Sequence, residues 1–143
     1  IKLRNFCKKN QRNFYISNNL ELANKVGANG LYISSNNNDL KFKILRFKKN
    51  FKVLGSAHNF KEIQIKKLQN VQEIFISPLF KDKKNKQLDI YKYLNLRNFS
   101  LIKDISLGGI DNDNIKKLKM IKPFGFAGIS YFQKKRPLKK GAF

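Results

Sequence analysis

Short apolar runs alternate with amphipathic, lysine-rich stretches along the whole chain. Residues 13–17 (NFYIS), 30–34 (GLYIS), 51–57 (FKVLGSA), 71–79 (VQEIFISPL), 99–107 and 124–130 are rich in aromatic and β-branched residues. That composition suits a pleated, half-buried surface, so each is predicted to be a strand. Between them apolar positions recur at helical spacing. Asn18 or Asn19 is expected to cap a helix through Leu20, Leu22, Ala23 and Val26 that stops at Gly27, and Asn59 to cap one through Ile63, Ile65 and Leu68. Residues 88–96 make a further helix, and Asn112 or Asp113 is expected to cap another before the last strand. Residues 1–12 read as the end of a helix, with Lys8, Lys9 and Arg12 favourable near its C-terminus. Residues 40–51 fit either a short helix or a basic loop, and 81–87 (KDKKNKQ) a solvated loop. The basic tail, 133–143, is expected to fray.

Strand then helix, repeated six times at intervals of roughly 17 to 28 residues, predicts parallel strands joined by right-handed crossovers. The class is α/β, and the 143 residues form one domain. A closed barrel of eight such units takes about 200 to 250 residues, so the chain is expected to be the later part of a barrel or an open sheet. Function in such proteins sits at the carboxyl ends of strands. Those ends are Ser17-Asn18, residues 34–39 (SSNNND), Ser56-Ala57-His58, Ser77-Pro78 with the lysine loop, Gly108-Gly109, and Gly128-Ile129-Ser130. Hydroxyls, amides, bare glycine backbone and cations suit phosphate binding better than acid–base hydrolysis. A glycine turn and a neighbouring helix start expose N–H groups to an anion, which makes 106–130 the candidate phosphate cradle.

Composition narrows the remaining classes. Lys and Arg exceed Asp and Glu by 31 to 9, for a formal charge of +22. The lysines are spread along the whole length, and the abundance of Lys, Asn, Ile and Phe is what A/T-rich codons produce. No specific nucleic-acid partner is therefore expected, although a basic nucleic-acid-binding module stays open as an alternative. The apolar runs are too short to span a bilayer, no tripartite leader is evident, and the lone Cys7 suits a reducing compartment, so a cytoplasmic setting is expected. One histidine, His58, excludes a histidine-clustered metal site, and a single histidine after a strand is more often structural than catalytic. There is no GxGxxG and no GxxxxGK[ST].

Six pieces in order resemble the thiamine-phosphate synthase family, which includes a thiazole tautomerase branch. ISNNLELA (16–23) is similar to the family's I-N-D-x-x-x-x-A, and GANGLYIS (27–34) to G-A-D-G-V-H-L-G. Ser56-Ala57-His58 matches S-x-H, and SPLF (77–80) resembles G-P-[IV]-[FY]. GGIDNDN (108–114) matches G-G-I-x-x-x-N, and GFAGIS (125–130) resembles G-V-A-V-I-S. The resemblance implies a TIM (β/α)8-type barrel with about six units present, strands three to eight. It implies an enzyme joining hydroxymethylpyrimidine diphosphate to thiazole phosphate with release of pyrophosphate, assisted by Mg²⁺. Gly108, Gly109, Ile129 and Ser130 would hold the thiazole phosphate. Ser56 would face the diphosphate, and Lys84 or Lys86 would be the phosphate-binding lysine of a closing loop. Ser17, Asp82 and Lys84 fall on substrate-binding positions.

The departures from the resemblance lie at the metal, at Ser17, which stands where the family has an asparagine, and in the closing loop. In that loop the family's threonines fall on Asp82 and Lys84 and its lysine position on Asn85, with Lys86 beside it. The family's two metal carboxylates fall on Asn18 and Asn37, both neutral amides, with Asp39 a possible substitute for the second. Its strand-two Q-x-R-x-K motif has no counterpart. A non-coupling thiazole-phosphate binder or tautomerase-like relative is therefore the alternative within the family.

Overall fold

The computed structural model describes residues 1–81 and 86–134. Six parallel strands form one sheet in the order of the chain: β1 (Tyr15–Ser17), β2 (Gly30–Ile33), β3 (Lys52–Ala57), β4 (Glu73–Ile76), β5 (Lys103–Leu107) and β6 (Gly125–Ala127). Each strand pairs with its successor, so every crossover turns the same way. Helices then collect on one face, and the sheet is an arc of a (β/α) barrel. The helical layer contains α1 (Lys2–Lys9), α2 (Leu20–Lys25), α3 (Phe60–Leu68), α4 (Ile90–Ser100), α5 (Leu118–Ile121) and α6 (Ile129–Lys134). Two 3₁₀ segments, Leu40–Phe47 and Ile115–Lys117, complete it.

Register decides which residues face which layer. Leu31 pairs with Val53, and Gly55 with Ile74; a side chain at Gly55 would meet Val71 and Lys66 of the helical layer. Leu31, Ile33, Val53, Ala57, Ile74 and Ile76 therefore pack under the helices, against Ala23, Ile63, Tyr93 and Leu96. The opposite, inner face carries Tyr15, Tyr32, Ser56 and Phe75 by the same register, with Tyr32 and Phe75 edge to face at 5.7 Å. Lys52 and Glu73 form an ion pair at 2.5 Å toward its amino end. No helix among the described residues is long and apolar enough to cross a membrane.

Local chemistry explains the helix starts. Asn19 Oδ1 accepts from Leu22 N, and Asn59 Oδ1 from Glu62 N while its amide donates back to Glu62 Oε1, a reciprocal cap. Several expectations need correction. Residues 40–47 take the short-helix option, as a 3₁₀ segment capped by Asp39. α4 runs on to Ser100, so Phe99 and Ser100 belong to the helix, and the strand waits for the left-handed turn at Leu101. Asp111, not Asn112 or Asp113, receives the turn amides after β5, from Asp113 N and Asn114 N. Ile129 and Ser130 start a helix rather than ending a strand, and Gln133 and Lys134 continue it. On α3 the inward position is Lys66, with no exposed surface, while Leu68 is 53% exposed.

Candidate functional site

All the predicted site residues that the structure describes lie in the connections or strand ends at the carboxyl edge of the sheet. They fall into two groups with a bridge between them.

The first group joins β5 to β6. Gly108, Gly109, Ile129 and Ser130 line one cavity of about 460 Å³, together with Lys81, Leu107, Ile110, Asp111, Gly128 and Gln133. The two glycines are demanded twice over. Gly108 has φ +96° and Gly109 φ +65°, conformations that L side chains resist. A Cβ at Gly108 would also come within 2.7 Å of Pro78, and one at Gly109 would drive into the Phe80 and Lys81 carbonyls. The β4–α4 connection lies flat against this turn, extending the ladder through Leu79 N to Leu107 O (2.9 Å) and Phe80 N to Gly108 O (3.1 Å). Asn114 Nδ2 donates to Gly109 O at 2.6 Å. The carbonyls of the glycine pair thus point into the protein's own hydrogen bonds. Ile129 and Ser130 stand in the first turn of α6, where backbone N–H groups have no intrahelical acceptor.

The second group joins β1 to β2. Asn18, in the left-handed region at φ +53°, accepts at Oδ1 from Ser34 N (3.0 Å) and Asn37 Nδ2 (3.1 Å), and donates from Nδ2 to Ser34 Oγ (2.8 Å). Ser34 Oγ donates on to Asn36 Oδ1 (2.7 Å), and Asn37 Oδ1 accepts from Asp39 N (3.0 Å). Ser17 ends β1 beside this cluster and is exposed. Asp39 is turned away to Lys41: hydrogen bonds from the Lys41 side chain and backbone hold its carboxyl below the usual range.

Between the groups, Ser56 is buried on the inner face near the end of β3. His58 beside it has Nδ1 2.7 Å from Ser77 O and 3.2 Å from Ser77 Oγ. Lys86 lies in the β4–α4 connection, which Leu88 N ties back to Pro78 O. Asp82 and Lys84 lie outside the described residues. Among the described residues no group of three or more His, Cys, Asp or Glu could hold a metal ion.

Sequence reasoning missed Lys66 and Gln69. Lys66 Nζ donates to Asn37 O (2.8 Å) and Gln69 Oε1 (3.0 Å), and Gln69 Nε2 to Asn37 O and Asp39 O. Burial lowers the Lys66 ammonium to about 8, partly countered by the Glu62 carboxylate. The available signal was helical spacing, since Lys66 stands one turn after the buried Ile63 and Leu68 is off that stripe.

A sequence model of the family described as Thiamine monophosphate synthase matches residues 1–132. The chain belongs to this family. The thiamine-phosphate synthase of Staphylococcus haemolyticus (strain JCSC1435) is 28% identical over 136 residues, covering 91% of this chain and 63% of that protein. The thiamine-phosphate synthase of Staphylococcus saprophyticus is 27% identical over 127 residues, covering 85% and 59%. The chain thus spans about three fifths of the length of these curated relatives. Among solved structures, a thiamine phosphate pyrophosphorylase from Pyrococcus furiosus superposes with a TM-score of 0.70 at 16% identity, over 88% of this chain and 61% of that one. A native KDPGal structure gives 0.64 at 10% identity, over 96% and 66%. These two likenesses concern the fold, and they agree with a thiamine monophosphate synthase family barrel of which six βα units are present.

Proposed function

We propose that this chain binds a phosphorylated thiazole at the joined ends of β5 and β6, and serves thiamine-phosphate synthesis in the cytoplasm. One observation carries the reading: Gly108, Gly109, Ile129 and Ser130, from two separate connections, line a single cavity. In the coupling, the carbon–oxygen bond of the pyrimidine methyl diphosphate breaks, pyrophosphate leaves with the electron pair, and the methylene carbon bonds to the thiazole. The cradle would orient the thiazole phosphate through backbone N–H groups. Ser56 would donate to the diphosphate from the inner face, and Ser17, with Asp82, Lys84 and Lys86 of the β4–α4 connection, would contact and cover the substrates. Fixed donors and cations there would offset the charge developing on the leaving group.

The donor set at Asn18 and Asn37 does not fit Mg²⁺, because both amides are neutral and already hydrogen-bonded to each other. That observation favours a second reading, a thiazole-phosphate binder that does not couple. Thiazole phosphate added to the purified protein is expected to raise its melting temperature; no rise removes both readings. A coupled assay with both substrates separates them. Thiamine phosphate formation supports the synthase, and a melting shift without product leaves the binder.

A further inference from the structure

We propose that the buried Lys66 ammonium and the neutral Asn18–Asn37 amide pair organise residues 34–39 where the family resemblance expects a divalent cation, so that ligand binding at this edge needs no Mg²⁺. The last clause rests on the phosphate reading above; the rest does not.

The hydrogen-bond inventory argues it. Asn18 Oδ1 accepts a backbone N–H, that of Ser34, so its amide orientation is determined rather than free to flip; its second lone pair takes Asn37 Nδ2. Asn37 Oδ1 likewise accepts a backbone N–H, that of Asp39. Each amide therefore spends its oxygen on an N–H donor, and the group joining the two is an NH₂. A cation entering here would meet the Asn37 NH₂ between the two amides. Asn18 Oδ1 has both lone pairs engaged, which leaves one lone pair of the neutral Asn37 Oδ1, too little to hold a divalent ion. Magnesium asks for near-octahedral oxygen ligands at about 2.0–2.1 Å, carboxylates above all. The one carboxylate on the loop, Asp39, is committed to Lys41 at 2.7 Å.

The loop nevertheless has a positive charge holding it, from behind. Lys66 Nζ reaches Asn37 O at 2.8 Å, and Gln69 Nε2 doubles the anchor at 2.9 Å while also holding Asp39 O at 3.0 Å. Lys66 and Gln69 have no exposed surface. A buried ammonium with two acceptors is a charge-assisted tether that does not exchange with solvent ions. Lys66 is a positioning residue in this account, since it acts on the loop and touches no substrate.

Titration of Mg²⁺ alone into the whole chain is expected to give no saturable heat and no change in amide hydrogen exchange at Ser34, Asn37 and Asp39. Stoichiometric Mg²⁺ binding that slows exchange there would overturn the proposal. Lys66→Met is expected to speed exchange at those three amides roughly tenfold, about the loss of one charge-assisted bond, and unchanged exchange would refute the tether. Should that variant not fold, the Asn18→Asp/Asn37→Asp double variant decides. It is expected to gain a Mg²⁺-dependent rise in melting temperature, and no gain would mean the amides are not what turns the ion away. Thiazole phosphate titrated with Mg²⁺ or with EDTA completes the set. Equal binding supports metal independence and binding only with Mg²⁺ refutes it. No binding in either buffer defeats the phosphate reading and leaves the tether to the exchange arms.

Discussion

Single residues set the two ends of the candidate site, and two of them make sharp predictions. Gly109 combines a left-handed backbone with close contact to the Phe80 and Lys81 carbonyls, so Gly109→Ala should cost roughly 2 kcal/mol of stability. The same change should abolish the melting shift given by thiazole phosphate, read by differential scanning calorimetry. A variant that keeps both would show that this turn neither needs glycine nor holds the ligand. Lys66 predicts a pH dependence. Its folded value is about 8 against 10.5 for the free side chain, so between those values the unfolded chain binds more protons. Stability should therefore rise with pH across that window, by up to about 1.4 kcal/mol per unit. Below pH about 8 the full penalty of burying the ammonium applies. Urea unfolding of the protein and of Lys66→Met as a function of pH checks this, because the variant should lose that part of the slope. The glycine pair was legible in the sequence as a turn. Lys66 was not, because a lysine is expected outside unless the packing of a neighbouring loop gives it acceptors.

At the scale of elements, caps and strands were readable, and their exact ends were not. Asn19 and Asn59 cap as their side-chain chemistry dictates, and Asn59→Ala should cost about 1 kcal/mol, measurable as a shift in the urea midpoint. The misplaced boundary between α4 and β5 has a tertiary cause. Tyr93 Oη donates to Asp104 Oδ2 at 2.6 Å, Ser106 Oγ donates to Tyr93 Oη at 2.8 Å, and Arg97 approaches Asp104 Oδ1 at 3.6 Å. Burial and the Asp104 hydrogen bond push the Tyr93 hydroxyl well above the usual tyrosine range. Arg97 also donates to Ile121 O, and Asp104 Oδ1 accepts from Phe124 N. One buried carboxylate thus ties α4, β5 and the entry to β6 together. Asp104→Asn should destabilise by roughly 1–3 kcal/mol, seen in equilibrium unfolding. A neutral result would show that the network is decorative.

For the whole molecule, parallel pairing in chain order places every described candidate residue at one edge, and the helices on one face. Charge acts at this scale as well. With a formal charge of +22, the protein should bind a short DNA duplex at low salt, with affinity falling at least tenfold between about 50 and 200 mM. Fluorescence anisotropy measures this. Tight binding that survives the higher salt would revive the nucleic-acid module that the dispersed lysines argue against.

The alternation of apolar runs and amphipathic stretches was enough, by itself, to determine the α/β class and the six strand–helix units. Those features follow from local periodicity and from the handedness of crossovers. The tertiary structure alone decided that the two carboxy-terminal connections share one cavity, that Asn18 Oδ1 accepts from Ser34 N and Asn37 Nδ2, and that Asn37 Oδ1 accepts from Asp39 N. It also decided that a lysine, and not an apolar residue, fills the inward helical position after Ile63. Each of these depends on which groups meet across distant connections, and spacing along the chain does not fix such hydrogen-bond partners.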